Sequence, residues 1–416
     1  MVRKFINIIK EDILVYCYFV SLLLVLFGLH HYYGNKYIAP ITLYISVFIS
    51  IYFLLKFIFK KVNLDYSHLV EKVSLSEKDL MRTLPIALIV FVLFIIGHLF
   101  YLGHVPIITS YLSLDYYNIA LIRQSITKID SSLINYFSAF MLKAIIPFYL
   151  LLLLIKDKKL FYFFLIPSVF YALAMMQKSY IVGIFIPCII YYLVNFDFKK
   201  VLVFILIPLA GNYLLVFVTN PELRANKSEI DNYLVANKTE YKIDSTVVAE
   251  ANLSNKLNIA GDALYQRVFL TTGKIVGYWF DAVPSKLPYA KGCGYHFLAP
   301  ALGCDYDQYD YSRIIYDSIY IKESKKGLKG TVTVACFMYD YANFGILGLI
   351  ISAFLLALFL IIIKKIFNNE FAWIVSFNGL FVLWLTSAAI STTLFSGGWG
   401  LTILLFLIYK KVLINN

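Results

Sequence analysis

Four cations border the long apolar runs of this chain and could meet a charged group outside lipid: Arg123, Lys178, Arg224 and Arg267. A guanidinium is planar, stays charged and binds phosphate oxygens in pairs, so several on one face would hold a diphosphate. Arg224 lies in Asn220-Pro221-Glu222-Leu223-Arg224 and Arg267 in Tyr265-Gln266-Arg267-Val268-Phe269. Taken singly, each arginine suits a salt bridge to a loop carboxylate equally well. Lys178, in the turn Met176-Gln177-Lys178-Ser179, is near enough to the lipid surface to snorkel. Lys143 falls inside an apolar run. At membrane depth an ammonium costs about 2.5 kcal/mol or more, so it faces a partner or a cavity, or snorkels outward.

Groups that move protons come next. His296 follows Lys291-Gly292-Cys293-Gly294-Tyr295, where glycines let backbone approach a ligand and an imidazole can act as general base. Asp340 and Asn343 stand in Tyr339-Asp340-Tyr341-Ala342-Asn343-Phe344-Gly345 at the start of an apolar run. A carboxylate there is either functional or part of a helix cap and an interfacial aromatic belt. Cys293 and Cys304 share one polar segment and can pair in an oxidising compartment, closing the glycine-rich loop around His296. No pair among the six histidines has metal-site spacing, so no metal site is expected. Walker A and Rossmann glycine patterns are missing too, which removes ATP-driven transport in cis.

These groups are carried by a chain that is 61% hydrophobic, with a mean hydropathy of +0.76. Lipid must be the solvent for much of that surface, and continuous rather than alternating apolar runs select helices. The runs predict an all-α polytopic membrane protein of about ten spans: 13–33, 38–59, 84–102, 134–155, 160–176, 180–195, 200–219, 344–363, 371–391 and 397–413. Clusters such as Lys60 and Lys61, Lys156, Lys158 and Lys159, Lys199 and Lys200, and Lys364 and Lys365 recur at every second boundary. By the positive-inside rule those boundaries and both termini are cytoplasmic. The net charge of +12 thus reads as orientation and lipid contact, not nucleic-acid binding.

Three segments follow: spans one to seven over 1–219, a large outer loop domain over 220–330, and spans eight to ten over 331–416. Within the first, Leu112, Tyr116, Ile119, Ile122, Ile126, Ile129 and Leu133 form one apolar stripe, which predicts a helix over 110–133 lying in the interface or packed as a loop helix. Leu253, Leu257, Ala260, Leu264 and Val268 mark a further helix in the outer loop. The first apolar run has span length with no cleavage site after it, so no cleavable signal peptide is expected. The bias toward Ile, Lys, Asn, Tyr and Phe suggests an AT-rich, bacterial genome.

In layout the chain resembles bacterial oligosaccharide repeat-unit polymerases, the Wzy-type O-antigen or capsule polymerases. The resemblance rests on Arg123 in the earlier outer loop, Lys178 between crowded spans, and Tyr265-Gln266-Arg267-Val268-Phe269 followed by Gly292-Cys293-Gly294. It rests also on Gly330-Thr331 followed by Tyr339 to Gly348. Related proteins often carry arginine where this chain has Lys178, and lysine lacks the bidentate fork. The resemblance implies a fold like that of GT-C membrane glycosyltransferases. It implies transfer of a growing glycan from undecaprenyl diphosphate to the terminal sugar of a new lipid-linked unit, inverting and without metal or other cofactor.

On that reading Arg123, Lys178, Arg224 and Arg267 hold the diphosphate. His296 is the base, with Asp340 or Asp317 behind it, and tyrosines stack on sugar faces. The implied partners are the undecaprenyl-diphosphate-linked oligosaccharide, membrane lipids and a chain-length regulator protein, with no nucleic acid, and the implied location is the bacterial cytoplasmic membrane. An O-antigen ligase would use the same donor with another acceptor. A lipid-linked glycan flippase, from another class, usually has more spans, two related halves and no large outer domain. A structural or signalling protein would leave the outer arginines without a common purpose.

Overall fold

The computed structural model describes residues 11–61, 77–127, 132–236, 262, 265–325, 327–367 and 370–414. Regular structure among these residues is all helical, with no strand among them. Six helical stretches are long and apolar enough to cross a membrane: Ile13–Tyr33, Ile38–Lys60, Arg82–Leu102, Leu133–Lys156, Phe198–Thr219 and Ile346–Ile366. The protein is therefore a helical membrane protein. The remaining expected runs are helical but shorter or broken. Lys158–Ala174 and Trp399–Ile414 are 17 and 16 residues long, and Phe371–Trp384 stops at 14. The run over 180–195 divides into Lys178–Gly183 and Ile186–Val194. Pro187, which has no N–H to donate, opens the second piece.

Two compact units make up the chain, one from Met1–Tyr66 with Ile259–Leu394 and the other from Ser67–Asn258 with Phe395–Asn416. Residues 220–258 thus go with the second unit and 259–330 with the first. The helix expected around Leu253, Leu257, Ala260 and Leu264 lies outside the described residues.

In the first unit, the Ile13–Tyr33 helix packs against Thr271–Ala282 through two glycines. A Cβ on Gly273 would stand 2.2 Å from the Leu29 nitrogen, and one on Gly28 would stand 2.6 Å from the Leu270 oxygen. Backbones this close gain dispersion contact, one of the forces that associate helices where lipid offers no hydrophobic drive. Ile38–Lys61 packs on Ile346–Ile366. Between these helices a buried polar thread joins Tyr18 to Tyr44 at 2.8 Å and to the Cys336 sulfur at 3.2 Å. At the other end of Ile13–Tyr33, Asp12 is buried and takes hydrogen bonds from Tyr52 at 2.7 Å and Lys56 at 2.6 Å, with Lys364 at 3.2 Å.

In the second unit the single helix expected over 110–133 is replaced by Pro106–Leu112 and Tyr116–Thr127, with Ser132–Phe140 beginning the next span. The break is local chemistry. Ser113 leaves the helix in extended backbone, and the Asp115 carboxylate caps the new helix by accepting the Tyr117 N–H at 2.8 Å. Asp at a helix start satisfies donors that would otherwise be orphaned, so it overrides the apolar stripe. Ile129, in that stripe, lies outside the described residues.

Candidate functional site

The second unit contains a half-open cavity of about 200 Å³ within its helices. Its polar lining comes from Asn135, Tyr136, Ser138, Lys143, Gln177 and Tyr180, with Ser396 opposite in sequence. Among the described residues no carboxylate lines it; 128–131, between the lining residues Ile126 and Asn135, fall outside them. The volume is far above the ~10–15 Å³ that admits one water, yet below the ~300 Å³ where drug-sized ligand pockets begin. It suits a compact polar head group rather than a whole oligosaccharide.

The reason a cavity opens here lies in Pro147. It cannot donate to the carbonyl of Lys143, four residues earlier, and the helix widens into a π turn over Met141–Ile145. The Ile146 N–H reaches back to the Met141 carbonyl. Lys143 is held on that turn. From the chain's end, Gly398 at φ +87° brings its backbone within contact of Ala144, where a Cβ would meet the Ala144 Cβ at 2.9 Å. The turn carrying Gln177 is set by Met176, in left-handed backbone at φ +54°, whose sulfur accepts the Ser110 hydroxyl at 3.1 Å.

The four sequence-derived cations fare differently. Arg123 is exposed on Tyr116–Thr127, one turn before Ile126, which lines the cavity; residues three apart share a helix face. Lys178 is partly buried and sits between Gln177 and the cavity-lining Tyr180. Arg224 has a structural task instead. Its fork donates to the Tyr111 carbonyl, to Ser113 O at 2.8 Å and to Ser110 O at 3.3 Å. These are carbonyls at the end of Pro106–Leu112, which the helix itself leaves unpaired. Arg267 belongs to the first unit, on a second π turn over Gln266–Leu270, and its side chain lies outside the described residues.

A hydrogen-bond chain leads away from the cavity. The Ser138 hydroxyl and the Tyr171 hydroxyl are 2.7 Å apart, and Tyr171 lies 2.7 Å from His98 Nδ1. All three residues are buried.

The first unit holds the proton-handling candidates. Asn343, near the end of the Cys336–Phe344 helix, organises the glycine-rich loop: its side-chain oxygen accepts the N–H of Gly292 at 3.0 Å and of Gly294 at 3.1 Å. Lys291 at φ +52° and Gly292 at φ +98° turn the chain sharply there. Cys293 and Cys304 form a disulfide that closes this loop. The Tyr295 hydroxyl donates to the Asp340 carboxylate. Although Asp340 keeps some exposed surface, its carboxyl is deeply set, and burial pushes its pKa above the usual range.

His296 is exposed and packs edge-on against the Tyr306 ring, with centroids 5.0 Å apart. Asp317 is exposed and accepts the Ser324 hydroxyl at 2.7 Å. A cavity of about 20 Å³ beside Gly294, Asp310, Tyr339 and Asn343 has room for roughly one water.

Sequence reading singled out Lys143 and Asp340 as charges against the surrounding pattern, and Cys293 with Cys304 because they share one polar segment. It missed Asn135, Ser138, Gln177 and Tyr180 as partners, and it missed His98 with Tyr171. Uncharged polar residues in apolar runs give no signal until neighbouring helices show which of them face one another. Searches among family models, curated proteins and solved structures found no match to this chain.

Proposed function

We propose that the protein polymerises undecaprenyl-diphosphate-linked oligosaccharide repeat units into an O-antigen or capsular polysaccharide at the outer face of a bacterial cytoplasmic membrane. Ten spans, with both termini in the cytoplasm and a framework like that of GT-C glycosyltransferases, fit this reading. The observation that carries it is the polar cavity around Lys143, built on a π turn inside a membrane span. An ammonium at membrane depth beside the hydroxyl and amide groups of Ser138, Tyr180, Asn135 and Gln177 suits an anion of head-group size. A diphosphate on a polyprenyl chain meets that demand, since its tail stays in lipid while its charge needs a polar recess.

The chemistry asks for positive charge at the leaving diphosphate and a base for the attacking hydroxyl. Lys143, with Lys178 and Arg123 nearby in sequence to other lining residues, stabilises the charge that develops as the sugar–phosphate bond breaks. Arg267, in the first unit, keeps the diphosphate role that the resemblance implies. Arg224 is reassigned to holding the end of Pro106–Leu112 in place. Within the first unit, Asp340 is the group best suited to take a proton from an acceptor hydroxyl, since its raised pKa makes it a better base than an ordinary exposed carboxylate; the reaction expected is glycosidic bond formation with inversion. His296 and Asp317 are secondary candidates for that role.

Reconstitution with purified lipid-linked repeat units tests the proposal. Polymer ladders are expected with and without chelator, and Lys143→Met, Arg123→Ala and Arg267→Ala are expected to abolish long chains while the protein still inserts. Full-length polymer from all three variants would overturn the clamp. A topology reporter placing residue 270 in the cytosol would overturn the whole reading. Transfer of finished glycan to a lipid A core without elongation would assign a ligase instead.

A further inference from the structure

The cavity is joined to a buried histidine by two short hydrogen bonds, Ser138 to Tyr171 and Tyr171 to His98 Nδ1, each 2.7 Å. His98 is 3% exposed and Tyr171 is 0% exposed. The other ring nitrogen of His98, Nε2, is buried with no hydrogen-bond partner among the described residues. That asymmetry decides which way the chain runs.

Tyrosine has one hydroxyl hydrogen, so only two arrangements are open to a neutral imidazole. In one, Ser138 donates to Tyr171, Tyr171 donates to Nδ1, and the imidazole proton sits on Nε2. The buried Nε2–H then has nowhere to go, and orphaned buried N–H groups are rare because they forfeit a full hydrogen bond. In the other, Nδ1–H donates to Tyr171, Tyr171 donates to Ser138, and Nε2 keeps only an unused lone pair. The second arrangement releases the Ser138 hydrogen. Since Ser138 lines the cavity, its O–H is free to turn toward whatever the cavity holds.

We infer that His98 is a positioning residue which, through Tyr171, fixes Ser138 as a hydrogen-bond donor to an anionic phosphate group in the cavity. The inference rests on the reading of that cavity as a phosphate site. It assigns a function to a histidine that never touches the ligand, and it explains why a span carries a buried imidazole whose outer nitrogen is unmatched. A Ser138 lone pair aimed at a phosphate oxygen would repel it; a Ser138 hydrogen attracts it, beside Lys143.

The test uses the full-length protein in detergent and measures binding of inorganic pyrophosphate by calorimetry. Wild type is expected to bind, and Lys143→Met is expected to lose binding. Ser138→Ala, Tyr171→Phe and His98→Leu are each expected to weaken it about ten- to a hundredfold, the scale of one hydrogen bond to a charged group. The Tyr171→Phe/Ser138→Ala double variant is expected to lose no more than either single, because members of one chain act as a unit.

His98→Asn keeps an N–H near the Nδ1 position and is expected to restore most of the affinity, which a packing role for the ring would not allow. Loss in Lys143→Met with unchanged affinity in Ser138→Ala and His98→Leu overturns the relay and leaves the cavity reading standing. His98→Asn as weak as His98→Leu overturns the donor-direction argument. No binding by wild type overturns both the relay and the cavity reading.

Discussion

Replacing Asp12 probes the network at the end of the first helix. Its side chain is 2% exposed and accepts from Lys56 at 2.6 Å, Lys364 at 3.2 Å and Tyr52 at 2.7 Å. Asp12→Leu removes the acceptor from all three. Tyr52 is 1% exposed, so its hydroxyl cannot turn to water, and an orphaned buried donor costs about 1–3 kcal/mol. The lysines lose less. Lys56 and Lys364 also reach Glu11, at 3.2 Å and 3.0 Å, and retain 29% and 15% exposure. Discounted for that solvent and for the second carboxylate, their loss comes to about 1 kcal/mol. The sum is about 2–4 kcal/mol for Asp12→Leu.

Asp12→Asn keeps an acceptor for Tyr52 and should cost only about 1 kcal/mol. Combined with Glu11→Gln it should cost more than the two singles together, because both lysines then lose both partners. The pH dependence has a definite sign. Burial pushes the Asp12 carboxyl up, but hydrogen bonds from Lys56 and Tyr52 and the charge of Lys364 outweigh it, leaving its pKa below the ordinary value. Such a group contributes stability above its unfolded pKa and loses it as pH falls through the folded one. The gap between wild type and Asp12→Asn should be full near neutrality and fade below about pH 4. Thermal unfolding in detergent, followed by far-UV circular dichroism across pH, reads all of this. An Asp12→Leu protein within about 0.5 kcal/mol of wild type, or an Asp12→Asn deficit undiminished at about pH 3, refutes the reasoning.

Three further outcomes are expected. The raised pKa of Asp340 means that ionising it costs stability, which is lost as pH rises from the unfolded value through the folded one. Asp340→Asn should therefore unfold at a higher temperature than wild type near pH 8, match it near pH 4, and make no polymer. Replacing Cys293 and Cys304 together by alanine opens a loop of sequence separation 11, worth about 3 kcal/mol in chain entropy; amide exchange over 285–309 should accelerate while the membrane helices stay protected. Gly273→Ala drives a methyl into the Leu29 backbone and should cost about 1–3 kcal/mol or more, seen as a lower melting temperature.

The helical, membrane-embedded class was legible because lipid leaves apolar runs few alternatives. All ten expected runs fall on helix, yet their integrity was not visible in hydropathy alone. Pro187 divides one run, and Phe371–Trp384 stops short of the expected 391. The stripe from Leu112 to Leu133 promised one helix, but periodicity says nothing about a Ser113–Asp115 cap strong enough to restart it. Of the site residues, Asp340 and Lys143 were legible as charges out of place. Arg224 misled because an arginine bound to carbonyls and one awaiting phosphate look the same in sequence. The Ser138–Tyr171–His98 chain was invisible, since its members are 33 and 73 residues apart.

The backbone contact between Gly28 and Gly273 has a consequence for biogenesis. The first helix emerges from the ribosome early, but the surface it must press against is encoded after Ser67–Asn258. At ~5–20 residues per second, translation of that intervening stretch occupies on the order of ten seconds or more. Throughout this interval a glycine-bearing stripe of the nascent chain stands open to whatever else occupies the bilayer. The half of the protein begun first is thus completed only after most of the other half has been made, and the insertion machinery must keep the early segment uncommitted until then.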